Sequence, residues 1–384
     1  MTAHHQFNRR DFLKFTGLGV ATSSLYACGL LSSSGASYRV YDFAGQHWQP
    51  YKESIVIDGL AGAIDVKNAE LSSDTLATFV RSGVTAINDT IAYPGDNFAQ
   101  ANDKVDKAIA QIARYNKQLK LIESVDDLLA AKKNQQLGII MGFQSTEMFS
   151  DDLTRIEHFA NRGVKYMQMS YNGPSQFGSG GLVKNDLGLT PLGNEALLVM
   201  EQNKVLVDLS HSGKQTVVDA IASSKRPLTI SHTGCNSIYQ HPRNNDDAEL
   251  KAVADKGGVV GIYMMPFLEG GTHEITAAGV VAHIKHAVKV CGIDHVAIGS
   301  DQGVKPVNDG PEYREAVRKD VEARIAAGIS APGETPNRPP FIAELNSERR
   351  MELIAWHLGK AGFNDEQIKK ILGENLVQLY KEVW

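Results

Sequence analysis

Three short apolar segments of this chain each end in a side chain that can bind a metal ion. Their last residues are His211, His232 and Asp301, and the segments are residues 205–211, 228–232 and 295–301. Imidazoles and carboxylates are common zinc ligands. His211 and His232 lie 21 positions apart, which leaves room for one helix between two consecutive parallel strands. Two histidines, one aspartate and a water molecule would complete a four-coordinate catalytic zinc site.

These candidate ligands need a scaffold that brings strand ends together. After about residue 52, Val- and Ile-rich segments alternate with helical patterns, as expected for parallel strands that are buried on both faces. The eight strand candidates are residues 55–58, 84–88, 138–143, 164–169, 205–210, 228–231, 258–263 and 295–300. This alternation predicts an α/β fold, a (β/α)8 TIM-type barrel whose strand ends surround one site. A doubly wound open sheet is the alternative, but no Gly-x-Gly-x-x-Gly turn follows the first strand.

Residues 304–347 interrupt this rhythm after the last strand. Tyr313, Val317, Val321 and Ile325 recur every four residues, which predicts a helix, and a Pro-rich extended stretch follows it. Because the insert leaves from the carboxyl end of a strand, we expect it to cover the barrel mouth as a lid. Packing against a second subunit of a homodimer is the alternative. Two further helical stretches are expected at the C-terminus.

The N-terminal segment has the features of an export signal. Arg9 and Arg10 precede a modest apolar segment, residues 15–27, as in twin-arginine signals. The residues up to Cys28 resemble a lipobox, so cleavage before Cys28 would leave a lipid-bearing cysteine, and ordinary cleavage without lipid is the alternative. We expect export by the twin-arginine machinery to the periplasm, with or without a lipid anchor in the membrane. The expected domains are a signal over residues 1–28, a linker over 29–51 and the barrel over 52–384.

The composition argues against a nucleic-acid partner and against a transmembrane helix in the body of the chain. The 384 residues include 39 basic and 44 acidic ones, for a net charge of -5, and no long basic run is present. No nucleic-acid partner is therefore expected. Hydrophobic residues make up 42% of the chain. The body of the chain holds no uninterrupted apolar run that is long enough to span a bilayer, so no transmembrane helix is expected there.

Six short motifs occur in order along residues 52–384. They are Tyr166 to Asn172, Gly188 to Gly193, Asp208 to His211, Ser231 to Thr233, His241 to Asn244, and Ile298 to Asp301. No single motif is decisive, but their order resembles that of the membrane (renal-type) dipeptidases, peptidase family M19 of the amidohydrolase superfamily. The resemblance implies a (β/α)8 barrel that holds two zinc ions and hydrolyses dipeptides, including ones that end in a D-residue.

The resemblance also implies roles for individual residues. His211 and His232 match two imidazoles on one zinc, and Asp301 matches a ligand of the other zinc that also handles protons. Arg243 matches a guanidinium that binds the substrate carboxylate, a role that suits a planar bidentate donor. Tyr171 stands where some members have a histidine that stabilises the tetrahedral intermediate, and a phenol can donate one hydrogen bond there.

The chain departs from the family pattern at the remaining metal ligands. Leu60 and Gly62 occupy the positions of a His-x-Asp pair of zinc ligands after the first strand, and neither can ligate through its side chain. Gln144 occupies the position of a bridging glutamate, and a neutral amide is a poor bridge between two cations. We therefore expect a single zinc on His211 and His232, with Gln144 or water completing its coordination.

Two hypotheses about function follow. In the first, the protein is a one-metal hydrolase of a dipeptide or related amide, in which Asp301 acts as general base and Arg243 orients the carboxylate. In the second, it is a relative that binds a peptide or takes part in peptide maturation without hydrolysis; another amidohydrolase reaction is a further alternative. No Ser–His dyad is expected from Ser210 or Ser231, because each should point away from the histidine that follows it.

Overall fold

Parallel strands form a barrel in the computed structural model of this chain, which describes residues 43–68, 70–270, 275–326 and 330–384. The strands are β1 (Ile57–Gly62), β2 (Ala86–Ala92), β3 (Leu119–Leu121), β4 (Leu137–Phe143), β5 (Val164–Gln168), β6 (Leu206–Asp208), β7 (Thr229–Thr233), β8 (Val259–Ile262), β9 (Val296–Ile298) and β10 (Gln302–Gly303). They pair in the order β10-β1-β2-β4-β5-β6-β7-β8-β9, and β3 pairs with β4 outside this path. The predicted (β/α)8 barrel is confirmed.

Helices connect the strands and cover the outside of the barrel. They are α1 (Ser73–Arg81), α2 (Phe98–Arg114), α3 (Val125–Asn134), α4 (Thr154–Ala160), α5 (Pro191–Gln202), α6 (Lys214–Ser223), α7 (Asp247–Asp255), α8 (Ala277–Cys291), α9 (Pro311–Ala326), α10 (Arg350–Lys360), α11 (Asp365–Lys369) and α12 (Asn375–Val383). Several begin at polar residues that satisfy free backbone N–H groups. The Ser72 hydroxyl accepts from the Thr75 N–H at 3.1 Å, and Asn97 and Gln100 form a capping box before α2.

The strands are apolar because both of their faces are covered. All seven residues of β4 are buried, and so are all seven of β2. Inward side chains fill the barrel and outward ones pack under the helices, as in other barrels of parallel strands. The carboxyl ends of the strands therefore form one rim, and the candidate ligands identified above lie on it.

The barrel closes through an interrupted last strand. Between β9 and β10 the backbone N–H of Asp301 donates to the Leu60 carbonyl at 2.9 Å, and β10 then pairs in parallel with β1. The buried Asp58 carboxylate accepts from both the N–H and the hydroxyl of Ser300, at 2.7 and 2.5 Å. Closure thus fixes Asp301 beside the end of β1.

Three details of the strands differ from the expectation. β1 continues to Gly62, so Leu60 and Gly62 lie on the strand rather than after it. β3 and β10 were not predicted, because segments of three and two residues are too short to have a recognisable period. β6 and β9 are shorter than predicted, since the chain turns into the site before their motifs end.

The insert after β10 covers the barrel mouth, as predicted. Its helix is α9, and Tyr313, Val317 and Val321 of this helix line the cavity above the strand ends. Ile325, the fourth residue of the predicted stripe, is instead 52% exposed. Residues 331–340 form a second wall, which is hydrogen-bonded to the rim at both of its ends.

The predicted export signal and most of the predicted linker lie outside the described residues. Near the first of the described residues, Trp48 and Tyr51 are buried against the barrel, and the Trp48 indole donates to Asp365 at 2.8 Å. In the part of the chain described, no helix is both long and apolar enough to span a bilayer.

Candidate functional site

A cavity of about 170 Å³ lies at the carboxyl ends of the strands, beneath the lid. Its lining includes His211 after β6, Arg243 in the loop after β7 and Asp301 after β9, together with Tyr171 and Gln144. His232 lies behind this surface and is fully buried. The structure therefore brings the predicted site residues to one end of the barrel.

The two histidines at the ends of β6 and β7 are direct neighbours. The ring centroids of His211 and His232 are 4.9 Å apart, with the rings inclined by 63°. The Tyr171 ring stacks on His211, at 4.0 Å between centroids. The His211 ring therefore packs against both an aromatic face and the partner imidazole.

A hydrogen bond fixes the orientation of His211. Its Nδ1 lies 2.7 Å from the Asn172 amide oxygen, which can only accept, so Nδ1 carries the proton and donates. The Nε2 atom of His211 then keeps its lone pair. Asn172 lies in the segment after β5, next to Tyr171, and its role was not predicted from the sequence.

A chain of buried hydroxyl groups orients His232 in the same way. The Ser231 hydroxyl donates to the Asp208 carboxylate at 2.5 Å, so its oxygen accepts from His232 Nδ1–H at 2.8 Å. The Ser210 hydroxyl also donates to Asp208, at 2.8 Å, and accepts the His232 backbone N–H at 3.0 Å. The Nε2 atom of His232, with its lone pair, has no hydrogen-bond partner among the residues described.

These contacts correct one expectation. Ser231 was predicted to point away from His232, but its hydroxyl bonds the imidazole. The simple alternation of strand side chains fails because the register of β7 against β8 shifts between Ile230 and Thr233. The contact positions the imidazole of His232. Because the Ser231 hydroxyl donates its proton to Asp208, Ser231 and His232 do not form a pair of nucleophile and base.

Both imidazoles are held in the neutral form that metals bind. Burial, together with the nearby positive charge of Arg243, places the pKa of His211 and that of His232 well below the ordinary value. A neutral ring with a protonated Nδ1 presents Nε2 as a ligand. A buried lone pair without a hydrogen-bond partner is costly unless something else fills it.

Two site residues have left-handed backbone conformations. The φ angles are +63° at His211 and +57° at Asp301. Residues other than glycine seldom adopt such angles, which cost about 1 kcal/mol or more and concentrate at functional sites. Both residues lie three positions after the end of a strand, and both line the cavity.

Asp301 lies between β9 and β10, next to the end of β1. Burial raises its pKa to about 7, opposed by the nearby Arg243 charge. Within the described ranges, no group of three or more His, Cys, Asp or Glu side chains is arranged to hold a metal ion. The structure therefore brings His211 and His232 together and does not join Asp301 to them as a third ligand.

The Arg243 guanidinium has an unusual environment for a buried cation. The residue is 4% exposed. Its backbone N–H donates to His241 and its carbonyl accepts from Thr233, while its guanidinium lies 5.9 Å from the Tyr263 ring centroid. Within the described residues the guanidinium makes neither a hydrogen bond nor an ion pair, and it borders the cavity. Such a group is suited to an anionic ligand.

The donor set fits one cation better than two. The orphaned Nε2 of His232, beside the His211 ring, is what a zinc between the two imidazoles would explain. Gln144, at the end of β4, lines the cavity and supplies only a neutral amide. A second cation would need ligands at Leu60 and Gly62 of β1, where the cavity wall carries no donor side chain.

The chain matches a known protein family over most of the barrel. The family model described as membrane dipeptidase (peptidase family M19) matches residues 61–321. An uncharacterized dipeptidase of Schizosaccharomyces pombe is 28% identical over 67% of this chain, and the alignment spans 64% of that protein's length.

Solved structures are similar over most of the chain. An amidohydrolase from Pseudomonas aeruginosa superposes with a TM-score of 0.75 at 27% identity, covering 88% of this chain and 98% of its own. A metallopeptidase from Rhodobacter sphaeroides, solved with a phosphinate mimic of the dipeptide L-Ala-D-Ala, gives a TM-score of 0.68 at 18% identity, covering 86% of this chain and 100% of its own, and this shows the shared fold. With a family model that matches more than half of its length, this chain belongs to the membrane dipeptidase family, peptidase family M19.

Proposed function

We propose that this protein hydrolyses a dipeptide or a closely related amide with one zinc ion in place of two. The observation that carries the proposal is the buried Arg243 guanidinium, which borders the cavity and makes neither a hydrogen bond nor an ion pair among the described residues. A free C-terminal carboxylate is the anion that a dipeptide would bring to it. Family membership and the dipeptidase names of relatives support the same reaction class.

The residues around the cavity divide the work of an amide hydrolysis. Arg243 would bind the carboxylate with two parallel N–H donors and so orient the peptide. Asp301, whose pKa burial raises to about 7, would take a proton from the attacking water and pass it to the leaving amine near neutral pH. The Tyr171 phenol, kept protonated because burial raises its pKa, would donate to the developing oxyanion.

His211 and His232 are the residues that would hold zinc, with Gln144 or water as a further ligand. Bound there, the ion would supply Lewis acidity toward the scissile carbonyl and a lowered pKa for coordinated water. Asn172 and Ser231 hold the two rings so that each Nε2 is available. This arrangement uses side chains that follow β4, β5 and β6 or lie on β7, and so it does not need the ligands that β1 lacks.

Binding without hydrolysis is the second candidate, and one observation favours it. At Leu60 and Gly62 the cavity has no ligand for a second cation, and Gln144 carries no charge to bridge two cations. A site with fewer charges activates water less strongly. The same Arg243 would then hold a peptide carboxylate without turnover.

We further propose that the protein is exported through the twin-arginine pathway by its Arg9–Arg10 signal and reaches the periplasm, with Cys28 as the site of a lipid anchor. Export in the folded state would suit a protein that acquires its metal before translocation.

The test is an assay of the purified protein, stripped of metal and then supplied with zinc, cobalt or manganese, on L,L- and L,D-dipeptides. Turnover should appear on addition of metal, with one ion per chain at saturation. The variant Arg243→Met should lower kcat/KM for free dipeptides by on the order of 100-fold, because a charge-assisted bidentate contact is lost.

The matched control is the same dipeptide with a C-terminal carboxamide, which should be cleaved poorly and equally by both proteins. If calorimetry detects binding of dipeptides without any turnover, hydrolysis is wrong and the binding function stands. Two tightly bound ions per chain would contradict the one-zinc site.

A further inference from the structure

The face of helix α9 that borders the cavity is apolar except at two positions. Tyr313, Val317 and Val321 lie on this face, and Val317 and Val321 are almost fully buried. Asp320 and Arg324 line the same cavity from the same helix. A carboxylate in such surroundings loses hydration, and burial accordingly raises the pKa of Asp320.

Arg324, the cation next to Asp320 on this face, is already paired with Glu334. Nε and Nη2 of Arg324 bond the two carboxylate oxygens of Glu334 at 2.9 and 3.0 Å, and both side chains are largely buried. The Ser330 hydroxyl also donates to Glu334, at 2.8 Å. This bidentate pair ties α9 to the second wall of the cavity, and so Arg324 is not available to neutralise Asp320 by direct contact.

Asp320 is left without a direct partner. Although the Arg324 charge attracts it, its carboxylate makes neither a hydrogen bond nor an ion pair with any residue in the described parts of the chain. The solvent face of α9 behaves differently, since Glu315 and Glu322 both bond Arg318, at 2.7 and 2.6 Å. The helix therefore pairs these acids outside and leaves an unpaired acid toward the cavity.

We infer that Asp320 forms a subsite for the positively charged side chain of a substrate's N-terminal residue, such as lysine or arginine. The inference rests on the proposed function, in which Arg243 holds the C-terminal carboxylate and the N-terminal residue extends into the rest of the cavity. A cationic side chain would supply the partner that Asp320 lacks, and the apolar stem of that side chain would pack on Val317 and Val321.

The experiment compares Lys-Ala with Gln-Ala, whose side chains are similar in length but differ in charge. Both dipeptides are assayed with the metal-restored full chain, in the stereochemistry that it accepts. The ratio of kcat/KM for Lys-Ala over that for Gln-Ala should exceed one and should fall about tenfold in Asp320→Asn, because a charge-assisted contact is lost. In Asp320→Lys the preference should shift to Glu-Ala.

Glu322→Gln is the matched control, since it removes an acid from the solvent face of the same helix; its ratio should equal that of the wild type. An equal loss for Lys-Ala and Gln-Ala in Asp320→Asn would overturn the inference, because it would mean that Asp320 contacts the main-chain amine. A wild-type ratio of one would overturn it as well.

If no dipeptide is hydrolysed, the proposed hydrolysis is wrong, but the subsite can still be tested. The test is then the calorimetric dissociation constants of the same two dipeptides. Tighter binding of Lys-Ala that is lost in Asp320→Asn supports the subsite without hydrolysis. Equal affinities, or no binding of either dipeptide, overturn the subsite.

Discussion

Two deeply buried histidines in this molecule differ in a way that separates a structural role from a ligand role. In His283 both ring nitrogens are used, because Nδ1 accepts from the Cys235 N–H and Nε2 donates to the Leu268 carbonyl. In His232 only Nδ1 is used, and Nε2 has no partner within the described chain. Since burying an unpaired polar atom costs free energy, the difference marks His232 as the residue shaped for a ligand.

At this scale we predict that Ser231 sets the metal affinity of the site. The variant Ser231→Ala removes the acceptor that fixes His232 Nδ1–H, and the affinity for zinc should fall by roughly 10- to 100-fold. Competition with a chromophoric chelator measures this loss without any assay of activity. Ser231→Thr, which keeps the hydroxyl, should restore most of the affinity.

Ser82→Ala is the control, because it deletes an equally buried hydroxyl that bonds only the backbone of α1 and its following turn. An unchanged zinc affinity in Ser231→Ala would mean that the hydroxyl does not position the ring.

The sequence could reveal the residues at the strand ends, but not the residues whose hydrogen bonds orient them. His211 and His232 follow apolar segments at a spacing that allows one helix, and this pattern is visible without coordinates. Asn172 and Ser231 act through hydrogen bonds that depend on a local register shift and a left-handed turn. Such features depend on tertiary pairing, which no local pattern in the chain reveals.

At the scale of elements, the barrel strands and lid helix were predictable because each has a clear period and adequate length. The pairing of β10 with β1 was not, since it follows from closure of the whole barrel rather than from its two residues. Closure also holds Asp301 against β1, whereas His211 follows β6 and His232 lies on β7.

Helix α8 provides a pH-dependent test of packing. Burial lowers the pKa of His283 to about 4, whereas the ordinary value is 6.5. As the pH falls below 6.5, the unfolded chain binds a proton that the folded protein does not. The contribution of His283 to the free energy of unfolding is therefore complete above pH 6.5 and is lost as the pH falls toward 4. Between about pH 7 and pH 5 the wild type should lose roughly 2 kcal/mol more unfolding free energy than His283→Gln.

Chemical denaturation of both proteins at each pH measures this difference, and the subtraction removes the contributions of all other titrating groups. Glutamine can still accept from Cys235 and donate to Leu268, so the variant should fold. A difference between the two proteins that stays constant with pH would contradict the expected protonation.

At the scale of the whole molecule, the proposed export of the lidded barrel depends on Arg9 and Arg10. We predict that Arg9→Lys combined with Arg10→Lys blocks export, because the twin-arginine machinery reads both guanidinium groups. In a bacterium that has this machinery, the double variant should stay at precursor mass in the cytoplasm, whereas the wild type should be processed. Mass spectrometry of the mature N-terminus would then show whether Cys28 is the first residue and carries lipid.

Lys14→Gln is the matched control, since it removes a positive charge near the pair and leaves the pair intact. Normal processing of the double variant would show that export does not depend on the arginine pair.

The backbone of the cavity has a consequence for redesign of this enzyme. His211 and Asp301 stand in left-handed turns that reject β-branched replacements, whereas Leu60 and Gly62 lie in an extended strand, a conformation that tolerates most side chains. A mutational library should therefore find functional diversity along β1 and fewer accepted replacements at the two turns. New chemistry in this scaffold would be introduced most readily from β1, where Leu60 and Gly62 offer no ligand side chain.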